Sequence, residues 1–206
     1  MSAGLRGLYA IADTELIPGP ALPPAVEAAI RGGARLVQYR DKSGDAARRA
    51  SEARALLEIC RGHGVPCIVN DDVELAAAVG ADGVHLGKDD VDPKAARVRL
   101  GPRALVGVSC YDSLERAVAT VRAGADYVAF GSFFPSDTKP GAVRPSLELL
   151  TEARRRLSIP LCAIGGITPE NGGTLVNAGA DMLAVIRGLF AAPDIAAVAR
   201  AYARLF

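Results

Sequence analysis

Five consecutive residues, Gln38-Tyr39-Arg40-Asp41-Lys42, alternate two cations with other side chains. In an extended segment alternate residues share a face, so Arg40 and Lys42 point the same way and form a clamp for a diphosphate. The competing reading is a solvated charged loop. Carboxylates recur after the next two apolar runs, in Asn70-Asp71-Asp72 and in His85-Leu86-Gly87-Lys88-Asp89-Asp90. Magnesium takes one or two carboxylates and completes its shell with water and substrate phosphate, which makes Asp71 and Asp90 candidate ligands. Asp72 and Asp92 read instead as helix caps, Asp92 with Pro93 at the first helical position. His85, with no Cys or His partner nearby in sequence, reads as a packed or hydrogen-bonded core histidine.

Further along, Gly107-Val108-Ser109-Cys110-Tyr111 offers a hydroxyl, Ser109, which by itself suits a helix entry equally well. The segment from Gly131 to Gly141 is rich in hydroxyls and carries Lys139, long enough for a lid or a phosphate cradle. Its adjacent Phe133 and Phe134 imply packing against something. Ile164-Gly165-Gly166-Ile167 and Val185-Ile186-Arg187-Gly188 place glycines where main-chain N–H groups can approach a phosphate, with a structural Gly-Gly turn as the alternative. The set describes two anions: a diphosphate near Arg40, Lys42, Lys139 and a metal, and a monophosphate over Gly166 and Arg187.

These residues need a scaffold that brings distant loops to one rim. Eight short β-type runs, Leu8–Ala12, Leu36–Tyr39, Cys67–Val69, Gly83–Leu86, Leu105–Val108, Tyr127–Phe130, Leu161–Ile164 and Met182–Ile186, alternate with helical patterns such as Asp45–Arg61 and Asp112–Arg122. A Gly-Ala turn recurs before every second strand, at Gly33-Ala34, Gly80-Ala81, Gly124-Ala125 and Gly179-Ala180. Each glycine is suited to end a helix in the left-handed conformation and feed the next strand. Strand-helix alternation built in pairs favours a closed parallel barrel, an α/β protein of the (β/α)8 TIM type, as one domain over 1–206. An open doubly wound sheet is the runner-up, but no Gly-x-Gly-x-x-Gly follows the first strand. In a barrel, every polar cluster above falls at a strand end, where such folds gather their reactive groups.

Half of the 206 residues are hydrophobic, enough for one sizeable core, and 24 Lys and Arg nearly balance 23 Asp and Glu. That balance excludes a global field that would hold nucleic acid or an anionic membrane, so any anion must be caught locally. No apolar stretch has the length of a signal or a membrane span, and Cys60, Cys67, Cys110 and Cys162 form no Cys-x-x-Cys pair. The expectation is a cytoplasmic protein with reduced thiols, Cys67 and Cys162 in the core, and small-molecule substrates. Nothing in the sequence fixes its oligomeric state.

Taken in order, Gln38 to Lys42, Asn70-Asp71, His85-Leu86-Gly87 with Asp90, Gly107-Val108-Ser109, Ser136-Asp137-Thr138-Lys139, Ile164-Gly165-Gly166-Ile167 and Val185-Ile186 resemble the thiamine phosphate synthase family over nearly the whole chain. That resemblance implies a magnesium-dependent transferase joining a hydroxymethyl-aminopyrimidine diphosphate to a thiazole phosphate, or its carboxylate, with release of pyrophosphate. It implies that Gln38, Tyr39, Arg40, Asp41, Lys42, Asn70, Ser109 and Lys139 hold the pyrimidine diphosphate. It assigns Asp71 and Asp90 to Mg2+, and Ser136, Asp137, Thr138, Gly166, Ile186 and Arg187 to the thiazole phosphate. Arg40, Lys42, Lys139 and Ser109 would carry catalysis. Lys88, Ser136 and Arg187 depart from the family pattern, which has glutamine, threonine and serine there. A related thiazole tautomerase uses a histidine near the place where Tyr111 stands, and a silent precursor sensor would have little need of both metal carboxylates.

Overall fold

The computed structural model describes residues 4–135 and 144–206. Eight strands follow one another: β1 (Gly7–Asp13), β2 (Ala34–Arg40), β3 (Cys67–Asn70), β4 (Gly83–Leu86), β5 (Leu105–Tyr111), β6 (Tyr127–Phe130), β7 (Leu161–Ile164) and β8 (Met182–Val185). All pair in parallel with their sequence neighbours, and β8 returns to β1, closing the barrel expected from the alternation. Helices α1 (Leu22–Arg31), α2 (Ala46–Gly62), α3 (Val73–Val79), α4 (Pro93–Leu100), α5 (Leu114–Arg122), α6 (Leu147–Arg156), α7 (Pro169–Asn177), α8 (Arg187–Phe190) and α9 (Ile195–Ala203) complete the chain. None of them is long and apolar enough to cross a membrane.

Two apolar layers divide the strand residues by parity. Leu8, Ala10, Val37, Tyr39, Val69, Val128 and Leu183 face outward and pack with the helices, burying the larger core. Tyr9, Ile11, Leu36, Ile68, Tyr127, Cys162 and Met182 face inward and fill the barrel axis. Cys67 and Cys162 are buried, as expected, and so are Cys60 and Cys110. Leu189 and Phe190 are buried in the outer layer. Phe133 is buried there too, with Phe134 packed against it, which answers the question raised by two adjacent phenylalanines in a loop.

The caps follow the sequence. Asp72 accepts from Leu75 N–H at 2.8 Å, and Asp92 accepts from Lys94 N–H at 2.8 Å with Pro93 opening α4. Asp45 and Ser113 cap α2 and α5 in the same way. All four turn glycines have positive φ, from 67° at Gly80 to 114° at Gly179, which L side chains tolerate poorly.

The residue after the Gly-Ala turn explains why the turn recurs. Asp82, Asp126 and Asp181 each accept, at 2.8 Å, the N–H of a residue in the preceding strand, Cys67, Val106 and Leu161 respectively. Arg97 reaches Asp126 at 2.5 Å, and Arg154 reaches Asp181 at 2.7 Å. The repeat is therefore a latch that ties strand beginnings together at the end of the barrel opposite the polar rim. Conversion of Asp181 to alanine leaves the Leu161 N–H and the Arg154 guanidinium without their acceptor. We expect a loss of about 1–3 kcal/mol in denaturant melts, with activity per folded molecule unchanged.

Candidate active site

The strand ends carry the polar rim for a geometric reason. β1, β2 and β5 run further than their apolar stretches, through Asp13, Arg40 and Tyr111. Arg40 and Ser109 thus sit within strands rather than in loops, because side chains that face the pore can be polar while the backbone ladder continues. They open onto a cavity of about 970 Å³ lined by, among others, Gln38, Arg40, Lys42, Asn70, Asp71 and His85. Its volume lies at the upper end for small-molecule sites, enough for two substrates side by side.

Along β2 the inward set is Leu36, Gln38 and Arg40, with Lys42 following on the same side. Tyr39 and Asp41 fall on the other parity, and their side chains are not among those lining the cavity. The Tyr39 hydroxyl donates to Glu52 of α2 at 2.8 Å and lies 3.2 Å from the Asp41 carboxylate, and Asp41 accepts from Ser43 N–H at 2.6 Å and from Arg48 at 2.7 Å. Burial works against ionisation of Asp41, but the bonds from Ser43 and the nearby Arg48 charge outweigh it and hold its carboxyl below the usual range. Burial, with two carboxylates close by, pushes the Tyr39 phenol well up. These bonds fix the turn from which Arg40 and Lys42 project.

Both cations already meet carboxylates. Arg40 is paired with Asp13 at the end of β1, which is only 4% exposed, and Lys42 is paired with Asp71. Asp71 stands at φ 62°, in the left-handed region uncommon for a non-glycine residue. Asp71 and Asp90 flank Gly87: a Cβ there would lie 3.0 Å from Asp90 Oδ2 and 3.9 Å from Asp71 Oδ1. Asp90 also accepts the Gly87 N–H at 2.6 Å. Burial and the neighbouring Asp71 raise the Asp90 carboxyl above its usual range. For Asp71, burial pulls the same way but the Lys42 ammonium prevails, and its carboxyl lies low. Two carboxylates with pKa values driven apart form an anionic pair that a divalent cation relieves. The donor set fits magnesium, which asks for one or two carboxylates rather than an all-protein cage. Among the described residues, no third His, Cys, Asp or Glu joins them.

Asn70 and Ser109 line the cavity, and Lys88 and Arg187 line it as exposed cations with no ion pair among the described residues. His85 is buried, yet it also lines the cavity and bonds Ser109 at 2.9 Å and Tyr127 at 2.8 Å. It is the hydrogen-bonded core histidine expected from the sequence, and it faces the cavity as well. Arg116 of α5, which the sequence did not single out, donates to Ser109 O at 2.9 Å and Gly87 O at 3.0 Å, tying the ends of β4 and β5 together.

The glycine loops have a second reason for their composition. A Cβ on Gly165 would lie 1.9 Å from Ser132 Oγ, and one on Gly166 would lie 2.3 Å from Pro135 O. The backbone that these glycines admit is that of the loop after β6. Asn171 donates to Gly166 O at 3.1 Å and Tyr202 of α9 donates to Ile167 O at 2.8 Å, anchoring the loop after β7. Gly166, Ile186 and Arg187 nonetheless line the cavity. Ser136, Asp137, Thr138 and Lys139 lie outside the described residues.

The described candidates Arg40, Lys42, Asp71 and Asp90 therefore meet on one rim. Comparison with known proteins follows the same lines. The model of the family described as thiamine monophosphate synthase matches residues 8–189. A thiamine-phosphate synthase of Nitrosococcus oceani is 55% identical over 206 residues, covering 100% of this chain and 95% of that protein. That of an Azoarcus species is 53% identical, covering all of both chains. Among solved structures, a thiamine phosphate pyrophosphorylase from Pyrococcus furiosus superposes with a TM-score of 0.87 at 32% identity, covering 98% of this chain and 95% of that one.

Proposed function

The chain belongs to the thiamine monophosphate synthase family and is a transferase, and we propose how its cavity joins a hydroxymethyl-aminopyrimidine diphosphate to a thiazole phosphate to form thiamine phosphate and pyrophosphate. The observation that carries this reading is the meeting of Arg40, Lys42, Asp71 and Asp90 around one cavity. The pyrimidine amino group can delocalise positive charge onto the ring, so the bond between the methylene carbon and the diphosphate oxygen breaks with both electrons leaving on oxygen. The thiazole nitrogen then attacks the methylene carbon. What the protein must supply is stabilisation of departing negative charge and alignment of the two rings, with little proton transfer.

Arg40, Lys42 and Lys139 are the side chains suited to the diphosphate, with Asn70 beside them and Gln38 and Ser109 on the pyrimidine. Main-chain groups at Gly166, Ile186 and Arg187, with Ser136, Asp137 and Thr138, suit the thiazole phosphate, and Arg187 adds a charge. Asp71 and Asp90 would hold Mg2+, whose chemistry when bound is neutralisation of the leaving pyrophosphate. Lys42 is poised to exchange its Asp71 partner for a phosphate oxygen. We place the enzyme in the cytoplasm, acting on small molecules without nucleic acid or membrane.

The decisive assay is pyrophosphate release. It should require both substrates and magnesium together. Loss or shift of thiazole carboxylate signals without pyrophosphate would mark a tautomerase, and binding without turnover would mark a sensor. Conversion of Asp90 to asparagine removes half of the carboxylate pair. We expect calorimetric Mg2+ affinity to fall by at least the roughly 10- to 100-fold that loss of a metal-supporting group costs. Unchanged affinity would remove Asp90 from the metal site.

A further inference from the structure

The cavity floor is crossed by a chain of hydrogen bonds joining residues of five strands. Gln38 Nε2 on β2 donates to Tyr9 Oη on β1; Tyr9 Oη lies 3.0 Å from Tyr127 Oη on β6; Tyr127 Oη lies 2.8 Å from His85 Nδ1 on β4; and His85 Nε2 lies 2.9 Å from Ser109 Oγ on β5. Gln38, Tyr9, Tyr127 and His85 are all buried. Gly107 makes the arrangement possible, because a Cβ there would stand 2.0 Å from Tyr127 Cζ.

Burial drives both phenols far up, so each keeps its proton. A hydroxyl has one proton to give, and a neutral imidazole has one donor and one acceptor nitrogen, so such a chain runs in one sense at a time. With the Gln38 amide giving to Tyr9, Tyr9 must give to Tyr127 and Tyr127 to His85 Nδ1. His85 then carries its proton on Nε2 and gives it to Ser109. The two ends are left with opposite duties: Gln38 Oε1 remains an acceptor, and the Ser109 hydroxyl keeps its own proton to donate. An aminopyrimidine edge offers the complement, an amino N–H beside an acceptor ring nitrogen. Replacement of the amino group by oxygen inverts that edge, presenting a carbonyl beside a ring N–H.

We propose that Tyr9, Tyr127 and His85 are positioning residues whose one-way hydrogen-bond chain orients Gln38 and Ser109 to select the amino form of the pyrimidine over its oxo form. This selection rests on the pyrimidine diphosphate reading given above, while the sense of the chain stands on its own geometry. A site whose polar groups are pre-set rejects the inverted partner because its own donors and acceptors are then left facing like groups.

The test has two arms. The chain has only two histidines, His63 and His85. Nitrogen-15 spectra of the ligand-free protein should therefore resolve His85, which is expected as the neutral Nε2–H tautomer. Finding the proton on Nδ1 would reverse the chain and overturn the proposal. In the second arm, Tyr127→Phe breaks the chain while keeping the ring, and Tyr9→Phe breaks it one link earlier. With pyrophosphate release as the readout and the oxo diphosphate as competitor, both variants should lose about tenfold or more of the preference for the amino substrate. Their KM for thiazole phosphate should not change. An equal loss toward both pyrimidines, with the preference intact, would reduce these residues to ordinary packing and overturn the proposal. Failure of the unaltered protein to release pyrophosphate would overturn the assigned ligand, and the tautomer measurement would then decide the chain by itself.

Discussion

Lys139→Ala is expected to lower kcat by about 10²–10³-fold while changing the KM for thiazole phosphate little, the scale seen when one pre-organised stabiliser of developing charge is removed. The reason lies in the charges around the cavity. Arg40 is already balanced by Asp13 and Lys42 by Asp71, and Asp90 adds a further carboxylate. A departing pyrophosphate therefore needs positive charge beyond those two pairs. Lys139 is the lysine of the hydroxyl-rich segment after β6, and the resemblance assigns it to the diphosphate. An interaction made mainly as the bond breaks affects turnover rather than thiazole affinity. Steady-state kinetics varying each substrate in turn will separate the two, and equal losses in kcat and thiazole binding would argue against this role.

Arg40→Ala is expected to cost both stability and activity. Asp13 is 4% exposed and its carboxylate is held by the Arg40 guanidinium. Removal of one partner of a buried pair leaves the other charge without compensation, typically a loss of about 3–5 kcal/mol. Asp13→Asn in the same background should restore much of that stability, because the stranded charge disappears, yet it should not restore turnover. Chemical denaturation of the two single variants and the double variant, with pyrophosphate release measured on each, tests both halves of the expectation. Recovery of turnover in the double variant would mean that Arg40 serves only to neutralise Asp13. The pair also explains how β1, with no reactive residue apparent in its sequence, takes part in the site.

Several features are legible in the sequence alone. The strand-helix alternation and the paired Gly-Ala turns pointed to a closed barrel, and the chain closes as eight parallel strands. Asp72 and Asp92 cap their helices as their positions suggested. The rim residues of β2, β3 and the β4 loop converge as a barrel requires. Tyr39 and Asp41 are the instructive difference. They sit inside the most distinctive motif, but a strand sends alternate side chains to opposite faces, so a contiguous motif splits between side chains that line the cavity and side chains that bond toward α2.

What the sequence determined by itself is what depends on neighbours along the chain: periodicity, caps, turn glycines, and the residue types that end each strand. Only the tertiary structure decided which of those residues meet. Tyr9 and Tyr127 are 118 residues apart and sit in apolar runs that read as plain core, yet closure of the barrel joins their hydroxyls to His85 and Ser109. Asp13 meets Arg40 for the same reason, since β1 and β2 lie side by side in register. Hydrogen bonds and ion pairs act over about 3–4 Å, so partners distant along the chain are set by how the strands are staggered around the barrel, which no local pattern encodes.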